Sequence, residues 1–279
     1  MKHILVLITS TLLILLNAVF YGIFAQEADV IYRQGIEYGA EGKFPEAADW
    51  FKENLKNNKS DFTSASSLSV LDDLNGGKIT DAYARSFFTG LNFLQNGKID
   101  EGLSELKKTI GLNPGYPKVY NVIGMVYASL GDKTKAIEYF QKAIEINPQY
   151  TQACFNLAAL YQSLGQIEDA LKYYEKVLFL DSNFPEAVMN IAVIYASLGK
   201  YSEAIKYYQR AIEFDRTNPQ VYYNLALAYF MSDQLVKFRD NLLRAQELYQ
   251  RKNDTQGLEK VAAYMNKIKD IENKFKQTK

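Results

Sequence analysis

Apolar and small residues along most of this chain recur with two superimposed periods, one of three to four residues and one of about 34 residues. Cys154, Leu157, Ala158 and Tyr161 fall at i, i+3, i+4 and i+7, which places them on one face of a helix. Gly165 follows where a residue of positive φ ends a helix without a Cβ clash. Ala170, Tyr174 and Val177 then give the apolar face of a second helix that runs back along the first. The same pair repeats. Gly97, Gly131, Gly165 and Gly199 follow one another at a single constant interval, the longer period, and so do Phe93, Tyr127, Tyr161, Tyr195 and Tyr229. Gly90, Gly124, Ala158, Ala192 and Ala226 form a row of small residues, and Gly102, Ala136, Ala170 and Ala204 a second. Facing small rows let the two helices of a pair approach closely, and the aromatic rows fill the space beside them. Asn113-Pro114 and Asn147-Pro148 close the second helix of two units, because proline drives its predecessor out of helical dihedrals.

These rows resemble the tetratricopeptide repeat, a helix-turn-helix unit of about 34 residues. Tyr120, Ile123, Gly124, Tyr127, Ala136, Phe140 and Pro148 stand at its characteristic places. The resemblance implies an all-α fold, a right-handed α-solenoid. Five contiguous units read as 83–116, 117–150, 151–184, 185–218 and 219–250, the last degraded because Asp233 replaces the glycine and Phe238 the alanine. Ile31, Gly35, Tyr38, Gly42, Ala47 and Phe51 place a further degenerate unit at 26–61, with Gln34 and Asn54 standing where apolar residues are expected. Between them, 62–82 reads as an insertion. There Leu68, Leu71 and Leu74 have the spacing of a short helix, Gly76-Gly77 marks a turn, and Thr80 or Asp81 caps the next helix; the alternative is a surface loop. Leu258, Val261, Ala262, Met265, Ile268 and Ile271 make 251–279 a capping helix over the last apolar face.

Ahead of the repeats, Lys2 and His3 precede an apolar run from Ile4 to Phe24, followed by Ala25. The run lies between the lengths of a cleaved signal core and a spanning helix, so residues 1–25 read as a signal peptide or an N-terminal membrane anchor. Both place the remainder outside the cytoplasm, in a periplasm, secreted, or tethered by 4–24.

Composition narrows the chemistry. Lys plus Arg equals Asp plus Glu at 32 each, which disfavours nucleic acid, and leaves the N-terminal segment as the membrane contact. One histidine, His3, and one cysteine, Cys154, leave no imidazole-assisted nucleophile in the repeats, no internal disulfide, and no expected metal or cofactor. Cys154 sits on a packing face and reads as a small hydrophobe. The expectation is a non-enzymatic scaffold that binds a protein or an extended apolar peptide. Asn156, Asn190 and Asn224 recur at the repeat interval on the side of the first helices opposite their partners. This row resembles one in the helical-repeat part of the glycosyltransferase that modifies Ser and Thr with N-acetylglucosamine, which implies a ladder on a peptide backbone; equally, Asn is habitual at this place in tetratricopeptide repeats. Phe87, Phe155, Met189, Tyr223, Leu227 and Phe230 fall on the same side and are the candidate anchors. Lys118 alone does not make the basic clamp with which some such proteins hold a chain terminus. The alternative is an accessory subunit or a carboxylate-dependent enzyme of the cell envelope, which needs two acids opposed across a pocket; the acids here alternate with lysines, as Glu168 with Lys172, like a solvated surface.

Overall fold

The computed structural model describes residues 30–57 and 62–277, so the expected leader lies outside the described residues. Fourteen helices and no strands occur among the described residues. They are α1 (Val30–Glu41), α2 (Phe44–Asn57), α3 (Phe62–Asn75), α4 (Asp81–Gln95), α5 (Ile99–Leu112), α6 (Pro117–Ser129), α7 (Lys133–Ile146) and α8 (Thr151–Ser163). Then follow α9 (Ile167–Leu180), α10 (Pro185–Ser197), α11 (Tyr201–Phe214), α12 (Pro219–Met231), α13 (Leu235–Arg251) and α14 (Thr255–Gln277). None of them is long and apolar enough to cross a membrane. The chain divides into two compact units at Leu164 and Gly165, the turn after α8.

In the first unit α1 pairs with α2, α4 with α5 and α6 with α7, and α7 carries α8. In the second, α9 packs on α10, α10 pairs with α11 and α12 with α13, and α14 covers α13. Each unit is thus a stack of helix hairpins in chain order, the architecture of an α-solenoid.

The turns explain why the period is so strict. Gly42, Gly97, Gly131, Gly165 and Gly199 all have φ between 71° and 79°. In four of these turns the residue after the glycine donates its N–H back to the aromatic carbonyl that opens the turn. Lys43 donates to Tyr38 at 2.8 Å, Lys98 to Phe93 at 2.9 Å, Asp132 to Tyr127 at 3.0 Å and Lys200 to Tyr195 at 2.9 Å. This bond satisfies a helix-end carbonyl, and the residue between must be left-handed. Gln234 makes the same bond to Tyr229 at 2.9 Å, but there Asp233 adopts φ 58° without glycine's freedom.

Between hairpins a different side chain sets the hinge. Asn113, Asn147, Asp181 and Asp215 each end a second helix and accept with Oδ1 from the N–H two residues on, at 3.2, 3.0, 2.9 and 2.7 Å. The Asx turn therefore serves all four junctions, whereas proline marks two.

Packing follows the small rows. Ala158, Ala192 and Ala226 are fully buried, and a Cβ on Gly124 would lie 2.7 Å from the Phe140 ring. In the second unit Val188, Ala192, Tyr208, Leu225, Ala226, Phe238, Leu242 and Tyr249 form one core, closed by Val261 of α14. Phe238 takes the small residue's place while buried to 1% exposure, with Phe230 5.0 Å away and Tyr264 of α14 at 6.3 Å. Cys154 is buried.

The segment between the first hairpin and α4 holds a helix, α3, capped off by the turn at Gly77, whose φ is 70°. Thr80 caps α4 by accepting from the Tyr83 N–H at 3.2 Å. Despite the intervening helix, α1 packs directly on α4. Gly39 lies so close that a Cβ would meet Phe88 at 2.5 Å, Phe51 stacks on Phe88 at 5.9 Å, and Arg85 donates to the Glu41 carbonyl at 2.7 Å. The unexpected polar residue Asn54 is buried and donates to Ser64 of α3 at 2.8 Å, which ties α3 to α2. Thr63, Ser64, Ser66, Ser67 and Ser69 make α3 a poor helix by itself, each costing about 0.5 kcal/mol relative to alanine. Its buried apolar residues are Val70 and Leu71, so Leu68 and Leu74 are only partly covered and the expected leucine face is rotated.

Candidate protein-binding surface

The asparagine row is present in both units, and it is engaged with the protein itself. In the second unit Asn190 of α10 donates an N–H to the Tyr174 hydroxyl of α9 at 2.9 Å. Asn224 of α12 bonds the Tyr208 hydroxyl of α11 and accepts from Gln220 at 2.8 Å. Both tyrosines precede their asparagine by the same offset in sequence, so the tie repeats from one hairpin to the next. Burial pushes the Tyr208 phenol well above its usual value, so it remains a neutral hydroxyl at every physiological pH.

In the first unit the residue at that offset before Asn156 is Phe140, which has no hydroxyl. Asn156 instead donates to Asn121 of α6 at 2.9 Å and accepts from Gln152 at 3.1 Å. The change from tyrosine, as at 174 and 208, to phenylalanine at 140 thus redirects the amide from the preceding hairpin's second helix to its first.

Of the apolar candidates, Met189 and Leu227 are half-buried, as are the three asparagines, which leaves part of each accessible. Two need correction. Phe87 is 1% exposed, stacked 6.4 Å from Tyr83 and edge-on to Phe88 at 5.6 Å, so it is a core ring. Phe155 is likewise buried, at 8%. Tyr223 and Phe230 stay partly exposed but meet the Tyr264 ring of α14 at 6.1 and 6.4 Å, so the last helix takes up part of their surface. Helical periodicity locates the face and does not reveal what lies over it.

On the same face of the first unit the structure brings together a polar cluster that the sequence did not announce. Lys118 and Asn121 are three residues apart on α6, and Asn121 is buried. Lys118 donates to Asp73 at 2.7 Å and to Ser69 at 2.6 Å, both on α3. Tyr116 donates its hydroxyl to the same carboxylate at 2.5 Å, and Lys78 reaches it at 2.8 Å. Ser66 of α3 bonds the Tyr150 hydroxyl just before α8. From Ser66 to Asp73 a helix advances about 10 Å, which is about the spacing of two packed helices. So α3, packed on α2 and α4, reaches the starts of α6 and α8 through side chains about one helix spacing apart.

Burial alone would raise the Asp73 carboxyl, but hydrogen bonds from Lys118, Lys78 and Tyr116 outweigh it and hold the group down to about 2. Burial lowers Lys118 from its usual value despite that carboxylate, so the desolvation cost of the pair falls on the lysine. Below them Tyr83 is fully buried, edge-on to Tyr116 at 5.1 Å and beside Tyr120 and Tyr150. Its hydroxyl has no hydrogen-bond partner, a defect that costs about 1–3 kcal/mol. Lys118, too little for a basic clamp, is the centre of this seat. The signal available in the sequence is indirect: the insertion supplies an acid and serines at helical spacing, and the repeats supply one lysine on the inner face.

Among the described residues no group of three or more His, Cys, Asp or Glu could hold a metal ion.

The hairpins, their left-handed turns and the recurrent amides on the first helices define a helical-repeat protein. The family model described as Tetratricopeptide repeat matches residues 117–150 and 151–184, and that described as TPR repeat matches 193–233. These segments therefore match tetratricopeptide repeats, units that generally bind proteins or peptides. No curated protein matches it. Among solved structures it is similar to PilF of Pseudomonas aeruginosa, with 15% identity and a TM-score of 0.58 over 85% of this chain and 96% of that one. YrrB, described as a TPR protein with an unusual peptide-binding site, aligns at 19% identity and TM-score 0.55 over 79% of this chain and 99% of its own. MamA of Desulfovibrio magneticus RS-1 aligns at 20% and 0.56 over 63% and 99%. At these identities the likeness is one of fold.

Proposed function

We propose that this chain is a non-enzymatic interaction scaffold, working outside the cytoplasm, that takes a protein or peptide segment along the inner face of its second unit. The observation that carries the reading is the row formed by Met189, Asn190, Asn224 and Leu227. Its amides are oriented in advance by Tyr174 and Tyr208, yet its side chains are not fully buried. An amide held in place loses little rotamer freedom on binding, and its oxygen and N–H groups suit the two polar groups of a peptide backbone. Leu227 and Met189 supply the apolar contact beside it. The extracytoplasmic placement rests on the apolar run from Ile4 to Phe24 behind Lys2 and His3.

Two experiments test this. A fusion of residues 1–30 to a reporter active only after export should give signal, and no signal would remove the extracytoplasmic part. With a partner in hand, Asn190→Ala and Leu227→Ala should each weaken binding by about tenfold; charge changes at Glu168 or Lys172 should not. The reverse result would move the site to the outer helices.

A further inference from the structure

We infer that α3 is a displaceable internal ligand, and that the surface beneath it is a second docking site, for a partner helix with a hydroxyl-bearing face that ends in a carboxylate. The inference stands on the seat in the first unit and does not depend on the site proposed in the second.

Three observations converge. The interface is assembled from discrete polar contacts at helical spacing: Ser66 to Tyr150, Ser69 to Lys118, and Asp73 to Lys118 and Tyr116. That is how a helix is read in a groove, and its chemistry specifies the occupant: hydroxyls at two positions three apart, then an acid four residues on. Next, the stacking of α1 on α4 does not run through α3: their contacts are sealed by Phe51, Phe88 and Gly39, while α3 itself packs on α2 and α4 and buries Val70 and Leu71. Finally, α3 fits its seat imperfectly. The buried Tyr83 hydroxyl finds no partner under it, and five Ser and Thr residues weaken the helix from within. A partner helix with better helix formers, and an acceptor placed for Tyr83, would satisfy what α3 leaves unsatisfied. The turn at Gly76-Gly77 gives the chain freedom to release α3 while α4 stays in place.

Because α3 is tethered, its local concentration is of the order of millimolar, so a free helix of the same sequence competes poorly until the tether's contacts are weakened. The decisive experiment has two arms on the full chain. In the wild type, hydrogen exchange of the α3 amides should be at least about tenfold faster than that of α4 and α6, which marks local release. Equal protection of all three helices would make α3 a fixed part of the core and overturn the inference. In the second arm a labelled peptide of residues 62–76 is titrated into the wild type and into the Ser69→Ala/Asp73→Asn chain, with helix content checked for each. Binding should tighten by about tenfold or more in the weakened chain and disappear when Lys118→Met is added. No binding to the weakened chain, binding indifferent to Lys118, or dimerisation of the weakened chain through its own α3 would each overturn it. A scaffold reading of the second unit would survive all three of those results.

Discussion

The inner faces of the two units carry the same amide row and use it differently. In the second unit each asparagine is tied to a tyrosine of the preceding hairpin, Asn190 to Tyr174 and Asn224 to Tyr208. In the first, Phe140 withholds that hydroxyl, Asn156 pairs with Asn121, and α3 lies over the same face through Lys118 and Asp73. The difference teaches that a repeat position has no fixed role. A ring hydroxyl on the preceding hairpin, or a helix inserted between repeats, decides which partner such a side chain bonds.

The comparison breaks most visibly at the ion pair. Lys118 and Asp73 side chains are 14% and 13% exposed, so Lys118→Ala leaves a largely desolvated carboxylate with Lys78 and Tyr116 alone. We expect a loss of about 2–3 kcal/mol in chemical denaturation at neutral pH, the range for a hydrogen bond to a charged group. Acid should act through the same carboxylate. Its folded value, about 2, lies below the unfolded value, so the stability it contributes is present above about pH 4 and is lost as pH falls toward 2. In the Lys118→Ala chain this acid loss should shrink, and an unchanged acid profile would show that the pair is not responsible.

A smaller effect is expected in the second unit. Ala192 is fully buried between α10 and its neighbours, and Ala192→Leu should cost about 2 kcal/mol by overpacking. An unchanged melting temperature would mean that the small row is not a close approach. Tyr174→Phe removes the hydroxyl that Asn190 donates to and should cost about 1 kcal/mol. The converse change in the first unit, Phe140→Tyr, should leave Asn156 a choice of partner, read as a shift of its side-chain amide resonances. The smallest effect is a gain. Asp233 holds φ 58° where five other hairpin turns have glycine, so Asp233→Gly should stabilise by about 0.5–1 kcal/mol. No gain there would place the strain elsewhere in the turn.

How much of this is legible in the sequence depends on whether a feature is local. The glycines at 97, 131, 165 and 199 declare their turns because a positive φ is a property of one residue. The helices from Pro117, Pro185 and Pro219 begin at the prolines because the ring is accommodated in the first turn. Asp181 and Asp215 are harder to read, although they make the same Asx turn as Asn113 and Asn147, because no proline stands directly after them to mark the end of the helix. Asn54 stands out as an apolar position filled by an amide, and its reason, Ser64, lies in the insertion. Phe87 and Tyr223 show the limit. Spacing fixes the side of the helix on which a ring lies, but core burial of one and the Tyr264 cover of the other are tertiary facts. The seat of α3 is illegible for the same reason: Lys118 and Asp73 are 45 residues apart and no period relates them.

The central claim, a scaffold that binds through the inner face of its second unit, is most directly tested by site-specific photocrosslinking in the native host. A photoreactive residue at Leu227, half-buried beside Asn224, is compared with one at Phe179, which is 88% exposed on α9. The account predicts a discrete adduct from position 227 that is lost with Asn190→Ala, and none of that mass from position 179. An adduct from 179 that is indifferent to Asn190, with nothing from 227, would contradict it.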